Sequence, residues 1–208
     1  QESIKSNHLD LSFFKNIHQL NIYHDNLVGI TLAGAQFKTL TTVNIGSYKL
    51  KSFKVIAQDQ IQSSPLTSFM LTQSMSLKAN LSFLERCTNL EDLFIYGPAT
   101  IFLKDFSKLT KLKSLAIEST DLTVFPSGIS NIIGLEELRV RAPITKVPES
   151  LANLQKLEYL VLKSKYLTEF PLAVVECTTL TELHITAPIT KVPESLANLQ
   201  KLERLFIR

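Results

Sequence analysis

Apolar residues recur along this chain in the order L-x-x-L-x-L. The clearest copies are Leu90/Leu93/Ile95, Leu112/Leu115/Ile117, Leu135/Leu138/Val140, Leu157/Leu160/Leu162, Leu180/Leu183/Ile185 and Leu202/Leu205/Ile207. The first leucines are 22, 23, 22, 23 and 22 residues apart. Apolar and other residues alternate across each motif, which is the period of a half-buried strand. Residues 142–158, APITKVPESLANLQKLE, return letter for letter at 187–203, 45 positions later. Two unit types therefore alternate, and the identity spans one full pair.

Weaker copies lie upstream. Ile17/Leu20/Ile22 and Leu40/Val43/Ile45 are 23 residues apart, whereas Leu66/Phe69/Leu71 follows after 26 and the next copy after 24. The pattern predicts about nine strand positions over 17–208, with an irregular excursion around 46–65, where Tyr48 to Ile61 breaks the spacing. Residues 1–16 are expected to form an N-terminal cap and first helical segment, giving a single domain over 1–208. A second signal precedes each strand. Apolar residues stand six and three positions before the first leucine, as in Leu11/Phe14, Leu84/Cys87, Leu151/Leu154 and Val174/Cys177. Spacing of three on a short segment marks one face of a helical or 3₁₀ turn. Pro148, Pro171 and Pro193 sit just ahead of such segments, where a helix start tolerates proline.

The pattern V-P-E-S-L-A-N-L-Q-K-L-E-x-L-x-L resembles the typical 22–24-residue leucine-rich repeat, in particular repeats of secreted bacterial members and of plant and animal Ras-group-like members. The likeness covers about 11–208. It implies an α/β solenoid, a curved horseshoe with a parallel β-sheet on the concave face and short helices or 3₁₀ turns on the convex face. One such unit cannot bury its own leucines, but stacked units can. At about 4.8 Å per strand, nine strands span roughly 40 Å. The sequence departs from the family at one place. The repeat usually carries Asn three residues after the third apolar position, where this chain has Pro98, Thr120, Pro143, Lys165 and Pro188. The proline form reads as a tighter turn that dispenses with Asn and removes one N–H donor.

Composition adds little to this picture and excludes several alternatives. Of 208 residues 45% are hydrophobic, enough for a sizeable core. The net charge of +3 is mild, and nucleic-acid binders carry a denser Lys/Arg stripe, so no nucleic-acid partner is expected. No run is long and apolar enough to predict a membrane span. The chain opens at Gln1 without an initiator Met, which fits a fragment or a mature chain whose signal peptide was removed.

The search for chemistry is negative. No H-x-x-x-H, C-x-x-C, G-x-S-x-G or phosphate-cradling glycine loop occurs, so no catalytic, cofactor or metal site is expected and the chain reads as a non-enzyme. His18 and His24 flank one strand position beside Asp25 and read as solvent-facing. Cys87 and Cys177 hold the same inward position four repeats apart, roughly 19 Å at the strand spacing. A disulfide needs Cα atoms within about 7 Å, so both are read as buried thiols.

The residues between the leucines face the concave side. Their N-terminal members are small and polar. From Met70 onward the rows gain Phe94, Tyr96, Arg139, Arg141, Tyr159, Lys163 and His184. Aromatics and arginine are the types enriched in binding hot spots, so these eight residues are the candidate site for a protein or peptide ligand. The bland alternative is a solvated sheet face braced by pairs such as Glu118 with Arg139 or Arg141. The chain stops just after the ninth strand position, and an open strand edge there predicts a monomer or a weak dimer through that edge. The expected function is a non-enzymatic binding module. The resemblance implies a secreted or surface-exposed bacterial protein engaged in adhesion or host-factor recognition. The alternatives are an intracellular scaffold or regulatory domain in the cytoplasm, and the substrate-binding part of a larger enzyme such as a ubiquitin-ligase effector.

Overall fold

The computed structural model describes residues 7–61, 64–72, 77–79, 81–98 and 106–208, which fall into two compact units, Gln1–Leu103 and Lys104–Arg208. Residues 1–6, part of the expected N-terminal cap, lie outside the described residues.

Among the described residues the first unit contains eight strands: β1 (His8–Asp10), β2 (Gln19–Tyr23), β3 (Gly29–Ala33), β4 (Thr42–Gly46), β5 (Ser52–Ile56), β6 (Ser68–Thr72), β7 (Lys78–Ala79) and β8 (Asp92–Tyr96). The L-x-x-L-x-L segments supply β2, β4, β6 and β8, which pair in that order in parallel. The intervening segments build a second parallel sheet, β1-β3-β5-β7. The spacing alone does not signal this sheet. The stretch at 46–65 that departs from the repeat carries β5, where Phe53 and Val55 are buried and Lys54 and Ile56 are exposed. Residues 62 and 63 of that stretch lie outside the described residues. Phe14, which the spacing pairs with Leu11 as inward, is exposed and packs on Phe13 with ring centroids 4.6 Å apart. A tight turn, with the Phe14 N–H donating to the Leu11 carbonyl at 3.1 Å, carries its side chain outward.

Phenylalanines from both strand sets and the turns between them meet in the core of this unit. Phe83 lies 5.1 Å from Phe37 and 5.9 Å from both Phe53 and Phe69, centroid to centroid, at tilted or edge-on angles. Such pairs add about 0.5–1.5 kcal/mol each beyond the area they bury. One polar side chain is enclosed with them. Gln36 accepts from the Ala33 N–H and donates to the Leu11 carbonyl, both at 2.8 Å, so the turn at Gly34–Lys38 is tied to the segment before it.

The second unit is more regular. Its strands are β9 (Ser114–Glu118), β10 (Glu137–Arg141), β11 (Tyr159–Lys163), β12 (Glu182–Thr186) and β13 (Arg204–Ile207), each paired in parallel with the next. Leu115, Leu138, Leu160, Leu183 and Leu205 are register partners in succession, so the ladder advances by the alternating 23 and 22 residues of the sequence. Between strands run 3₁₀ turns at Ser127–Asn131, Glu149–Asn153, Leu172–Glu176 and Glu194–Asn198, entered through Pro126, Pro148, Pro171 and Pro193 in extended conformation. The missing N–H of proline costs nothing there, because the first donors of a helical turn have no partner within it. The first leucines Leu112, Leu135, Leu157 and Leu180 are fully buried. Full burial of such a side chain is worth about 1.5–3 kcal/mol.

The residue following each of these strands is alternately Ser119, Ala142, Ser164 and Ala187, and all four are buried. The serines differ in partner: Ser119 donates to the Asp121 carboxylate at 2.8 Å, whereas Ser164 reaches the backbone of the preceding repeat. The Ser164 hydroxyl donates to the Ile144 carbonyl at 2.7 Å and accepts from the Tyr166 N–H at 3.1 Å. Ser47 in the first unit repeats the arrangement, donating to the Leu27 carbonyl at 2.8 Å and accepting from the Lys49 N–H at 3.3 Å. The Ala-Pro form has no such hydroxyl; both forms share the backbone bond to the next strand, Ala142 N–H to the Lys163 carbonyl at 3.0 Å and Ser164 N–H to the Thr186 carbonyl at 2.9 Å. Ser164→Ala strands the buried Ile144 carbonyl and should lower the stability of the second unit by about 1–3 kcal/mol, read from denaturant unfolding.

Both cysteines are free and buried. Desolvation pushes the Cys87 thiol up to about 12, against a smaller opposing effect from a Ser64 hydrogen bond. Burial likewise raises Cys177 to about 11, helped by the Glu176 charge. The nucleophile is the thiolate, so near pH 8 both side chains are unreactive thiols in the folded chain. Ellman's reagent should titrate neither under native conditions and two per chain in denaturant. Rapid native labelling of either would show that its site opens far more often than this packing allows.

Candidate functional site

Strand side chains alternate, so the residues between the inward leucines form one outward face on each unit. In the first unit Met70 and Phe94 are register partners on β6 and β8, and Asn44 on β4 is the next partner along the row. Met70, Phe94 and Tyr96 are all half-buried. The Asn44 amide donates to the Asn21 side chain at 2.7 Å, and its own Oδ1 is buried with no hydrogen-bond partner among the described residues. Tyr23, at the end of β2, is 64% exposed. The sequence placed Tyr23 in the outward rows but passed over it because its neighbours are small and polar.

The second unit joins four side chains into a continuous row. Arg139, Val161, His184 and Phe206 are successive register partners on β10 to β13. The Arg139 guanidinium lies over the Tyr159 ring, 4.4 Å from its centroid. The Tyr159 and His184 rings are 5.8 Å apart, and His184 and Phe206 are 4.3 Å apart. Val161 is buried although it points outward, as is Ala116, the partner of Arg139 on β9. Phe206 is 55% exposed at the far end of the row. The period of two alone places it in the outward row, and its chemistry matches that of the other candidate residues.

Carboxylates hold this row in place. Glu137 accepts from Arg139 at 3.0 Å and from the Ser114 hydroxyl at 3.4 Å. Glu182, whose side chain is only 11% exposed, lies 2.6 Å from the His184 Nε2 and forms an ion pair with Arg204. Arg139 thus pairs within its own strand, while Arg141 reaches across to Glu118 at 3.5 Å. Both ends of the Arg141–Glu118 pair are about half exposed, where such a pair contributes roughly 0–1 kcal/mol. Lys163 is exposed beside Arg141 in the ladder. Among the described residues no group of three or more His, Cys, Asp or Glu is placed to hold a metal ion, and no helix is long and apolar enough to cross a membrane.

No protein-family model matches the chain, and no curated protein matches it in sequence. Solved structures do resemble it. The ectodomain of the Arabidopsis receptor kinase HAESA, in complex with an extended IDA peptide hormone, superposes with a TM-score of 0.66 at 17% identity over 91% of this chain. The functional domain of InlJ from Listeria monocytogenes gives 0.59 at 23% identity over 94%. A leucine-rich-repeat protein of Leptospira interrogans gives 0.57 at 21% over 93%. The chain spans 34% of the HAESA ectodomain, 40% of the InlJ domain and 61% of the Leptospira protein. Parallel strands built from L-x-x-L-x-L, joined in the second unit by proline-led 3₁₀ turns, together with these neighbours establish that the chain has the leucine-rich-repeat fold.

The stacking of Arg139 on Tyr159 can be measured directly. A double-mutant cycle with Arg139→Ala and Tyr159→Leu should return a coupling of about 0.5–1 kcal/mol in unfolding free energy. Purely additive effects would mean the two side chains do not interact in solution.

Proposed function

We propose that the chain is a non-enzymatic binding module that recognises a protein or peptide partner through the outward face of its repeat strands. The observation that carries this reading is the Arg139–Tyr159–His184–Phe206 row. Aromatic side chains and arginine supply much of the binding energy in protein interfaces, and they supply most when already ordered before the partner arrives. Here ion pairs with Glu137 and Glu182 fix the row in advance. Met70, Phe94 and Tyr96 give the first unit a face of the same character. The peptide hormone bound by the HAESA ectodomain supports the reading by analogy of fold. The proposal extends to a secreted or surface-exposed bacterial protein that meets host factors or mediates adhesion, with the repeat consensus and the InlJ and Leptospira neighbours as its support.

Two variants test the reading: Phe94→Ala with Tyr96→Ala in the first unit, and Arg139→Ala with Phe206→Ala in the second. Each keeps the core leucines, so circular dichroism and melting should change little. Host-surface proteins retained by the wild-type chain are purified, and their affinity for each variant is measured. Loss of a hot spot should weaken binding by about 30-fold or more. Undiminished affinity in both variants would place recognition elsewhere on the molecule.

A further inference from the structure

The outer ends of β9 to β12 and the turns that follow them enclose a cavity of about 570 Å³, within the roughly 300–1,000 Å³ range of ligand pockets. Its charged lining is Arg141, Lys163 and Lys165 against a single carboxylate, Glu118. Tyr166, Ala142 and Pro143 give it apolar walls, and Thr120 and Thr186 add hydroxyls. We infer that this cavity is a recognition site for an acidic peptide segment, one presenting two neighbouring carboxylates to Arg141, Lys163 and Lys165. The inference deepens the proposed function and rests on it, in that the segment belongs to the protein partner.

The argument is one of unbalanced charge. Two other cations on this face meet acids: Arg139 faces Glu137, and Arg204 faces Glu182. At the cavity the row reads Glu118, Arg141, Lys163, Thr186 in register. Arg141 and Lys163 stand directly opposite each other on adjacent strands, an arrangement that destabilises a sheet. Lys165 adds a third cation two residues on, and Asp121 is held nearby by the Ser119 hydroxyl at 2.8 Å rather than lining the cavity. Among the described residues neither lysine has an ion-pair partner, and Glu118 engages Arg141 alone. A repulsion that one internal carboxylate only partly offsets is the kind of local conflict that sites of function retain. Three cations against one carboxylate leave a surplus of two, which suits two carboxylates better than a densely sulfated or phosphate chain, whose binding calls for a longer basic stripe.

The test uses the full chain and a hexaglutamate peptide, with hexaglutamine as the uncharged control, measured by calorimetry. Hexaglutamate should bind, weaken as salt is raised, and lose about five- to tenfold in affinity in each of Lys163→Ala and Lys165→Ala. Glu118→Gln removes the competing carboxylate and should tighten binding several-fold. Tyr159→Ala and Phe206→Ala should leave hexaglutamate binding unchanged, so the cavity is judged separately from the aromatic row. All of these positions lie outside the leucine core, and the melting temperature of each variant confirms folding. Three results overturn the inference: hexaglutamate binding no better than hexaglutamine, affinity surviving the loss of both lysines, or a heparin-derived hexasaccharide binding through these lysines where hexaglutamate does not.

Discussion

The constraint from which the rest follows is the parallel register between one repeat strand and the next. In the second unit each inward leucine meets the leucine 22 or 23 residues on, and these rows close into the core. Side chains alternate with a period of two, so a slip of one residue would turn every leucine outward and every arginine and glutamate inward. The cost of such a slip is the burial energy of a whole row at once. That cost is what holds Arg139, Val161, His184 and Phe206 in line, although Val161 alone of them is buried. The outward face is therefore positioned by residues that do not belong to it.

The sequence made the strands legible because their signal is local and repeated. All nine L-x-x-L-x-L positions are strands, including β6, which follows the irregular step. The second sheet of the first unit was harder to read. β3 and β5 carry the alternation of a strand, but the steps along their sheet are uneven, 21, 23 and 26 residues, and the three-residue spacing of the convex segments pointed to turns instead. Ser47 and Ser164 were also overlooked. Attention to the missing Asn fell on the position where the family keeps it, while the hydroxyl that satisfies the turn sits elsewhere in the loop. Of the candidate site, the row membership of every residue was legible, since it needs only the period of two. Which residues touch was not. The sequence allowed Glu118 to pair with Arg139 or Arg141; Arg141 is its register partner and takes it, while Arg139 is held by Glu137.

Charge is distributed unevenly over this face. Glu137 and Glu182 each serve more than one donor, so the middle of the second unit is a closed set of pairs. Exposed pairs contribute little to stability, but a network limits the rotamers of the aromatic rings that lie between its members. The ends of the same strands are different, with cations adjacent and a single acid. One face thus combines an ordered, neutral centre with a positive margin. Ordered aromatic contact favours slow dissociation, and a charged margin favours fast encounter, so the two regions would act on different steps of binding.

The duplicated segment separates what local sequence decides from what stacking decides. Residues 142–158 and 187–203 are identical, and their backbones agree closely: Pro148 has φ −71° and ψ 152°, Pro193 has φ −73° and ψ 147°. Leu154 and Leu199, which close the two turns, also match, at φ −81°, ψ 69° and φ −77°, ψ 68°. Burial does not follow. Leu151 and Leu157 are fully buried beneath the repeat that contains Leu172–Glu176, whereas their counterparts Leu196 and Leu202 remain partly exposed. Seventeen residues set the same turn and the same entry in both places, although the burial of their leucines differs. The hydrophobic energy arrives only when the next repeat stacks. In a solenoid stability is therefore a property of interfaces between repeats, and a repeat's shape is a property of its own letters. A face assembled from such units can change many of its outward residues at small cost, since the turns and the buried leucine rows do not depend on them.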